Sequence, residues 1–119
     1  MVSQQEQLRD RTKRFAIRIV KLFRSLSYRP DAQILGKQLL RCGTAVAANY
    51  RAACRARSKA EWVAKIGIVV EEADETVFWL EMLADCEIAE ASKLQDLTAE
   101  AHELSALFTA SQRTAKAGG

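Results

Sequence analysis

Apolar side chains recur along this chain at spacings of three, four and seven residues, the interval that gathers them on one face of an α-helix. Leu8, Phe15, Ile19, Leu22, Phe23 and Leu26 form the first such stripe and predict a helix over about residues 4–27. Ser3 and Glu6 open it with capping-box spacing, the serine oxygen and the glutamate each satisfying a free amide. Tyr28-Arg29-Pro30 closes it, because proline disfavours helical geometry in the residue before it, and Asp31 offers an N-cap for a second helix. Its stripe, Ile34, Leu35, Leu39, Cys42, Val46 and Asn49, predicts a span of 32–57. Ser58 and Glu61 repeat the capping-box spacing and place a turn near Arg57; since no Gly or Pro enforces that turn, one unbroken long helix is the alternative. Trp62, Ile66, Val69, Ala73, Thr76, Leu80 and Leu83 predict a third helix over 59–85, with Gly67 midway allowing a neighbouring backbone to come close. Leu94, Leu97, Ala101, Leu104 and Phe108 predict a fourth over 92–113, with Ser92 and Gln95 as its capping pair and 114–119 as a flexible polar tail.

Four amphipathic helices with short connections are expected to bury their stripes against one another, so the fold class read here is all-α, an antiparallel up-down-up-down four-helix bundle. Length agrees: 119 residues and 13.3 kDa make one domain, residues 1–119, with enough chain for one core. Five Gly and one Pro are too few for the many turns of an all-β sandwich. No run of eighteen apolar residues occurs, and residues 1–10 are polar where a signal peptide needs an apolar stretch, so a cytoplasmic location is expected, with no membrane partner. Cys42, Cys54 and Cys86 are an odd set without metal-ligand spacing and read as reduced thiols.

Charge changes the picture more than composition does. Residues 1–65 hold 15 of the 18 Lys and Arg against four acidic residues, net +11, whereas residues 66–119 hold 3 against 11, net −8. Arg11, Arg14, Arg18 and Lys21 follow three-four-three spacing, and Lys37, Arg41, Arg51, Arg55 and Lys59 lie close to one line on the second helix. Two such ridges suit a phosphate backbone; the bland alternative is that they face water or pair with the acidic helices. With no base-reading module in the sequence, binding would be non-specific and governed by phosphate charge.

Catalysis has little to build on. His102 is the single histidine and no nucleophile is patterned beside it, so it reads as a surface or bundle-edge residue. Glu71, Glu72, Asp74, Glu75 and Glu81 lack the Glu-x-x-His pairs of carboxylate metal bundles, and no glycine-rich phosphate loop is present. The expectation is a non-enzyme without cofactor or metal.

Two features break bland patterning. Thr76-Val77-Phe78-Trp79-Leu80 is apolar around most of the helix, and Phe78 falls among Glu71, Asp74, Glu81 and Asp85, away from the expected core. Phe78 and Trp79 are therefore read as an interface, with a ring or dimer of identical subunits the simplest partner. Counting outward from a turn at Ser58 sets Arg41 level with Glu75, and Glu72 one turn away. Asn49, level with Gly67, is expected to be buried and to need a hydrogen-bond partner. Arg41, Asn49, Glu72 and Glu75 are thus structural candidates, a polar set that fixes helix register.

The segment QLLRCGTAVAANYRAACRARS at 38–58, continued by EEADETVFWL at 71–80, resembles a bacterial family, the four-helix-bundle proteins encoded in ribosomal RNA intervening sequences. The resemblance covers about residues 13–115 and is carried by Arg41, Gly43, Asn49, Arg55, Ser58, Glu72 and Glu75 together. It implies an up-down bundle assembled as a ring-shaped homopentamer. It also implies kinship with the accessory variability determinant proteins of diversity-generating retroelements, which bind nucleic acid and a reverse transcriptase through a basic surface. The chain departs from the family at Cys42 and Ala45, where serine is common, and at Ala52, where a glutamate often stands.

The expectation is a non-enzymatic accessory protein that binds RNA or DNA non-specifically through Arg11, Arg14, Arg18, Lys21, Lys37, Arg51, Arg55 and Lys59; the resemblance implies that it is a homopentamer and adds a reverse transcriptase as a candidate partner. The rival is a protein-interaction scaffold with no nucleic-acid role.

Overall fold

Ser3 accepts a hydrogen bond from the Glu6 amide at 3.1 Å while Glu6 accepts one from the Ser3 amide at 3.4 Å, and α1 (Gln4–Ser25) starts from that reciprocal pair. The computed structural model describes residues 2–118, and the remaining elements are α2 (Pro30–Ala53), α3 (Lys59–Asp85) and α4 (Ala91–Ala117). The described chain is all-α, without a strand, and measures 48 × 27 × 20 Å. α2 packs against α1 and α3, α3 against α4, and α1 touches α4 lightly.

Several element boundaries differ from the sequence expectation for physical reasons. α2 begins at Pro30, with Arg29 rather than Asp31 at the N-cap, because proline brings a helical φ and lacks the amide that a first-turn residue leaves unpaired. It ends at Ala53, so the connection to α3 is Cys54–Ser58 and the long-helix alternative does not apply. Ser58 caps α3 by accepting from the Glu61 amide at 3.1 Å. At the far end of α3, Glu87 takes a left-handed conformation, φ 56°, and the Ile88 amide reaches back to the Leu83 carbonyl at 2.9 Å. That is a Schellman closure made without glycine, with Ile88 packed on the core beside it. α4 has Glu90 at its N-cap and no side-chain cap, so Ser92 and Gln95 do not form the anticipated pair. It continues through Ala117, absorbing residues 114–117 of the anticipated tail; alanine and lysine there favour helix, and Lys116 suits the negative C-terminal end. Gly119 lies outside the described residues.

The buried row of α2 is rotated from the expected one. Leu39, Cys42 and Val46 are buried as expected and are joined by Ala32, Gly36, Gly43, Tyr50 and Ala53, while Ile34 is exposed and Asn49 half-buried. The cause is close packing against α1. A Cβ on Gly43 would sit 2.9 Å from the Ile19 side chain, and one on Gly36 2.6 Å from Leu26. Rotation brings Tyr50 inside, edge-on to Trp62 at 6.3 Å and tilted against Phe108 at 5.1 Å. Burial, with Cys54 alongside, pushes its hydroxyl well above the ordinary phenol range. The buried hydroxyls of Thr12 and Thr76 donate to the Leu8 and Glu72 carbonyls at 2.8 and 2.7 Å, and among the described residues no buried side-chain N or O lacks a partner.

Candidate nucleic-acid interface

The helix-pair contacts decide which basic residues meet. α1 and α2 approach through Ile19 with Gly43 and through Phe23 with Gly36, leaving their outward stripes side by side. On α1 that stripe carries Arg9, Lys13 and Arg24; on α2 it carries Lys37, Thr44, Ala48 and Arg51. Toward the N-terminal end of α1 the two stripes border a groove of ≈ 760 Å³, lined by Arg9, Lys13, Arg51 and Arg55 with Glu6 and Asp10, over a floor of Thr44, Ala47 and Ala48. The small floor residues let a ligand backbone come close, and four cations face two carboxylates. The Phe23–Gly36 contact places Arg24 and Lys37 at one height further along, so a second pair of cations stands about 21 Å from Arg51 at the helical rise per residue. Among the described residues, Lys13, Arg24, Lys37, Arg51 and Arg55 have no carboxylate within 4.0 Å; Arg9 has Glu6 at 4.0 Å.

The residues singled out in the sequence therefore divide. Arg51 and Arg55 line the groove, and Lys37 shares its face. Arg11 is committed elsewhere. Its Nε and Nη2 donate to the two Glu100 oxygens at 2.8 and 2.7 Å, and Glu103 stands at 3.0 Å, tying α1 to α4. That bidentate bond holds the Glu100 carboxyl below the usual carboxylate range, and the charges of Arg18 and Arg14 add to the effect. Arg14 and Arg18 are exposed on this α4 side of α1, on one ridge with Lys21, so they form a second cationic strip rather than part of the groove. The Lys59 Nζ lies near Gly118, where it meets the negative end of α4, and is removed from both.

Arg9, Lys13 and Arg24 were not singled out by their sequence pattern. The four-residue interval from Arg9 to Lys13, facing the small residues 44, 47 and 48, was the available signal, but it needs the rotation of α2 to be interpreted.

Beside that stripe, on the α3 side of α2, Arg41 donates to Glu75 at 2.6 Å and to Glu72 at 3.3 Å. The bond from Arg41 lowers the Glu75 carboxyl and raises the guanidinium. Glu75 also accepts from the Trp79 indole at 3.3 Å, and Trp79 meets Phe78 edge-on at 4.9 Å. Trp79 is half-buried, whereas Phe78 is 50% exposed, with Ile34 and Ile68 also exposed on these two helices. Asn49 donates to its own helix, to the Ala45 carbonyl at 2.9 Å, and so does not link helices as anticipated. Cys42 is buried, which pushes its thiol up; Cys54 is half-buried and Cys86 exposed, and all three are free. His102 is exposed in a shallow groove with Gln95, Thr98 and Ala99, a lining without carboxylates. Among the described residues no cluster of three metal-ligating side chains forms, and no helix is long and apolar enough to cross a membrane.

Known proteins share this sequence pattern and this fold. Residues 4–110 match the family profile described as 23S rRNA-intervening sequence protein. A crystal structure of a protein of unknown function from the S23 ribosomal protein family of Bacteroides thetaiotaomicron is similar at 31% identity and a TM-score of 0.86, covering 94% of this chain and 100% of that one. No curated protein matches the sequence.

Proposed function

The chain belongs to the 23S rRNA-intervening sequence protein family, and from that premise we propose that it is a non-enzymatic, cytoplasmic protein that binds RNA or DNA backbone in the groove between α1 and α2. The observation that carries this reading is the groove itself: Arg9, Lys13, Arg51 and Arg55 converge over a floor of small side chains, and three of the four have no carboxylate partner. A cation held by a neighbouring carboxylate has little to gain from a phosphate, whereas an unpaired one releases condensed counterions when it meets the backbone. The ridge of Arg14, Arg18 and Lys21 supplies a secondary strip on the same terms.

The assembly we propose is an up-down-up-down antiparallel bundle forming a ring-shaped homopentamer. Opposed helix directions are supported by the meetings of Ile19 with Gly43 and Phe23 with Gly36, of Arg41 with Glu75, and of Gln112 with Val63. Self-association is supported by exposed Phe78, three residues from Glu75 on α3, with Ile34 and Ile68 exposed two turns from Arg41 and Glu75 on their helices. Relation to the accessory proteins of diversity-generating retroelements, with a reverse transcriptase as partner, belongs to the same proposal and rests on the sequence resemblance. The same apolar face favours a second reading, a protein-interaction scaffold without nucleic acid.

Light scattering on a size-exclusion column, with and without a short oligonucleotide at two salt concentrations, separates the two. A mass near five chains that takes up oligonucleotide at low salt and sheds it at high salt supports the proposal. A particle that ignores nucleic acid at both leaves the scaffold.

A further inference from the structure

We propose that Tyr28, at the α1–α2 turn, is a stacking platform for an unpaired base, so that the nucleic acid followed by the α1–α2 face is single-stranded where it leaves that face. This rests on the binding proposed above and names the form of nucleic acid involved. Tyr28 is 95% exposed, far more than any other aromatic side chain described. An aromatic ring held in water gives up the burial that such a ring ordinarily contributes, and nothing in the fold uses this one.

The ring is not presented by a loose loop. Leu26 is buried just before it, the Arg29 amide donates to the Ser27 hydroxyl at 3.0 Å, and the Gln33 side chain donates to the Ser27 carbonyl at 2.8 Å. Pro30 fixes the backbone where α2 begins. Around the ring the charge is mostly positive. Arg24 stands in the last turn of α1, Arg29 comes directly after Tyr28 with Asp31 3.5 Å away, and Lys37 lies on the same face of α2 as Arg51, with Thr44 and Ala48 between them.

Bases in a duplex already cover each other's faces, so an exposed phenol ring finds no stacking partner there. An unpaired base offers its π-face whatever its identity, and a cationic track ending on an exposed aromatic is how sequence-tolerant single-strand binding is built. The groove would hold phosphates and Tyr28 would take a base.

Fluorescence anisotropy tests this with a labelled single strand and a duplex of equal phosphate count, on wild type, Tyr28→Phe, Tyr28→Ala and Arg51→Gln/Arg55→Gln. The expected result is about tenfold weaker single-strand binding by Tyr28→Ala at an unchanged salt slope, no change on duplex, and wild-type behaviour from Tyr28→Phe. A single strand carrying 5-iodouracil is expected to crosslink to Tyr28 on irradiation. Equal single-strand affinity for Tyr28→Ala and wild type overturns stacking, as does an equal loss on both substrates or a changed oligomeric mass. If the double arginine variant loses binding while Tyr28→Ala does not, the groove stands and the platform falls; if wild type binds neither substrate at low salt, both fall.

Discussion

Gly43→Ala and Gly67→Ala are the same substitution at helix-interior glycines, yet the packing around them predicts opposite signs. Alanine in place of glycine inside a helix gains about 1 kcal/mol from reduced chain entropy wherever space allows. At Gly43 space does not allow: the new Cβ would meet Ile19 Cγ1 at 2.9 Å, Cγ2 at 3.0 Å and Cβ at 3.4 Å, and Ile19 is fully buried. Three contacts on the branched base of a side chain cannot be relieved by swinging a flexible tip, so α1 must move away from α2. Overpacking of this kind costs roughly 1–3 kcal/mol, which exceeds the propensity gain and leaves a net loss of about 1 kcal/mol. At Gly67 the close neighbour is the Gln112 side-chain nitrogen at 2.8 Å, the end of a flexible chain whose bond to the Val63 carbonyl is long at 3.4 Å. That side chain can turn outward, so a net gain of roughly 0.5 kcal/mol is expected. For a chain of this length 1 kcal/mol corresponds to about 4 °C in Tm. Urea unfolding monitored by circular dichroism, with the m-value checked for constancy, measures both variants. In the Gly43→Ala background, Ile19→Ala is expected to cost less than it does in wild type, because the clash has been removed. Gly43→Ala raising stability, or the two variants shifting in the same direction, would refute the packing argument.

Individual groups give three more expected outcomes. Glu87→Gly relieves a left-handed residue without disturbing the Schellman closure and is expected to raise stability by about 1 kcal/mol, read as a higher thermal midpoint. Glu100→Gln, which breaks the bidentate bond to Arg11, is expected to cost roughly 1–2 kcal/mol at neutral pH. Because the folded Glu100 carboxyl is depressed, that contribution is present above its ordinary range and lost as pH falls through the lowered value, so the variant's deficit narrows in acid. Thiol titration of the native protein is expected to label Cys86 quickly, Cys54 slowly, and Cys42 at the rate of unfolding, since its thiol is buried and shifted upward.

Legibility in the sequence tracked the range of each interaction. The capping pairs Ser3–Glu6 and Ser58–Glu61 act over three residues and were readable, and Arg41 facing Glu75 came from counting across one turn. The Arg11–Glu100 bond joins residues 89 apart, and no local pattern encodes which of several cations on one ridge will meet α4. The rotation of α2 was hidden for a different reason. Its buried row includes Ala32, Gly36, Gly43 and Ala53, which contribute little to hydrophobic periodicity but permit the closest helix approach, so larger residues such as Ile34 dominated the stripe. Once α2 turns, Tyr50 replaces Asn49 in the core, and Arg51 with Arg55 comes to face Arg9 and Lys13. The groove was thus latent in the sequence, visible only after small residues are weighed as packing surface. Glu87 in a left-handed cap gives no glycine signal, so the Schellman closure of α3 had no local marker in the sequence.

The salt dependence of oligonucleotide binding tests the central claim most directly, measured as the slope of log K against log salt for wild type and for Arg9→Gln/Arg51→Gln/Arg55→Gln. Backbone binding in the groove predicts a steep negative slope for wild type and one shallower by about 2–3 in the variant, roughly one per lost phosphate contact, with helix content unchanged. A variant with the wild-type slope, or wild-type binding that ignores salt, would contradict it.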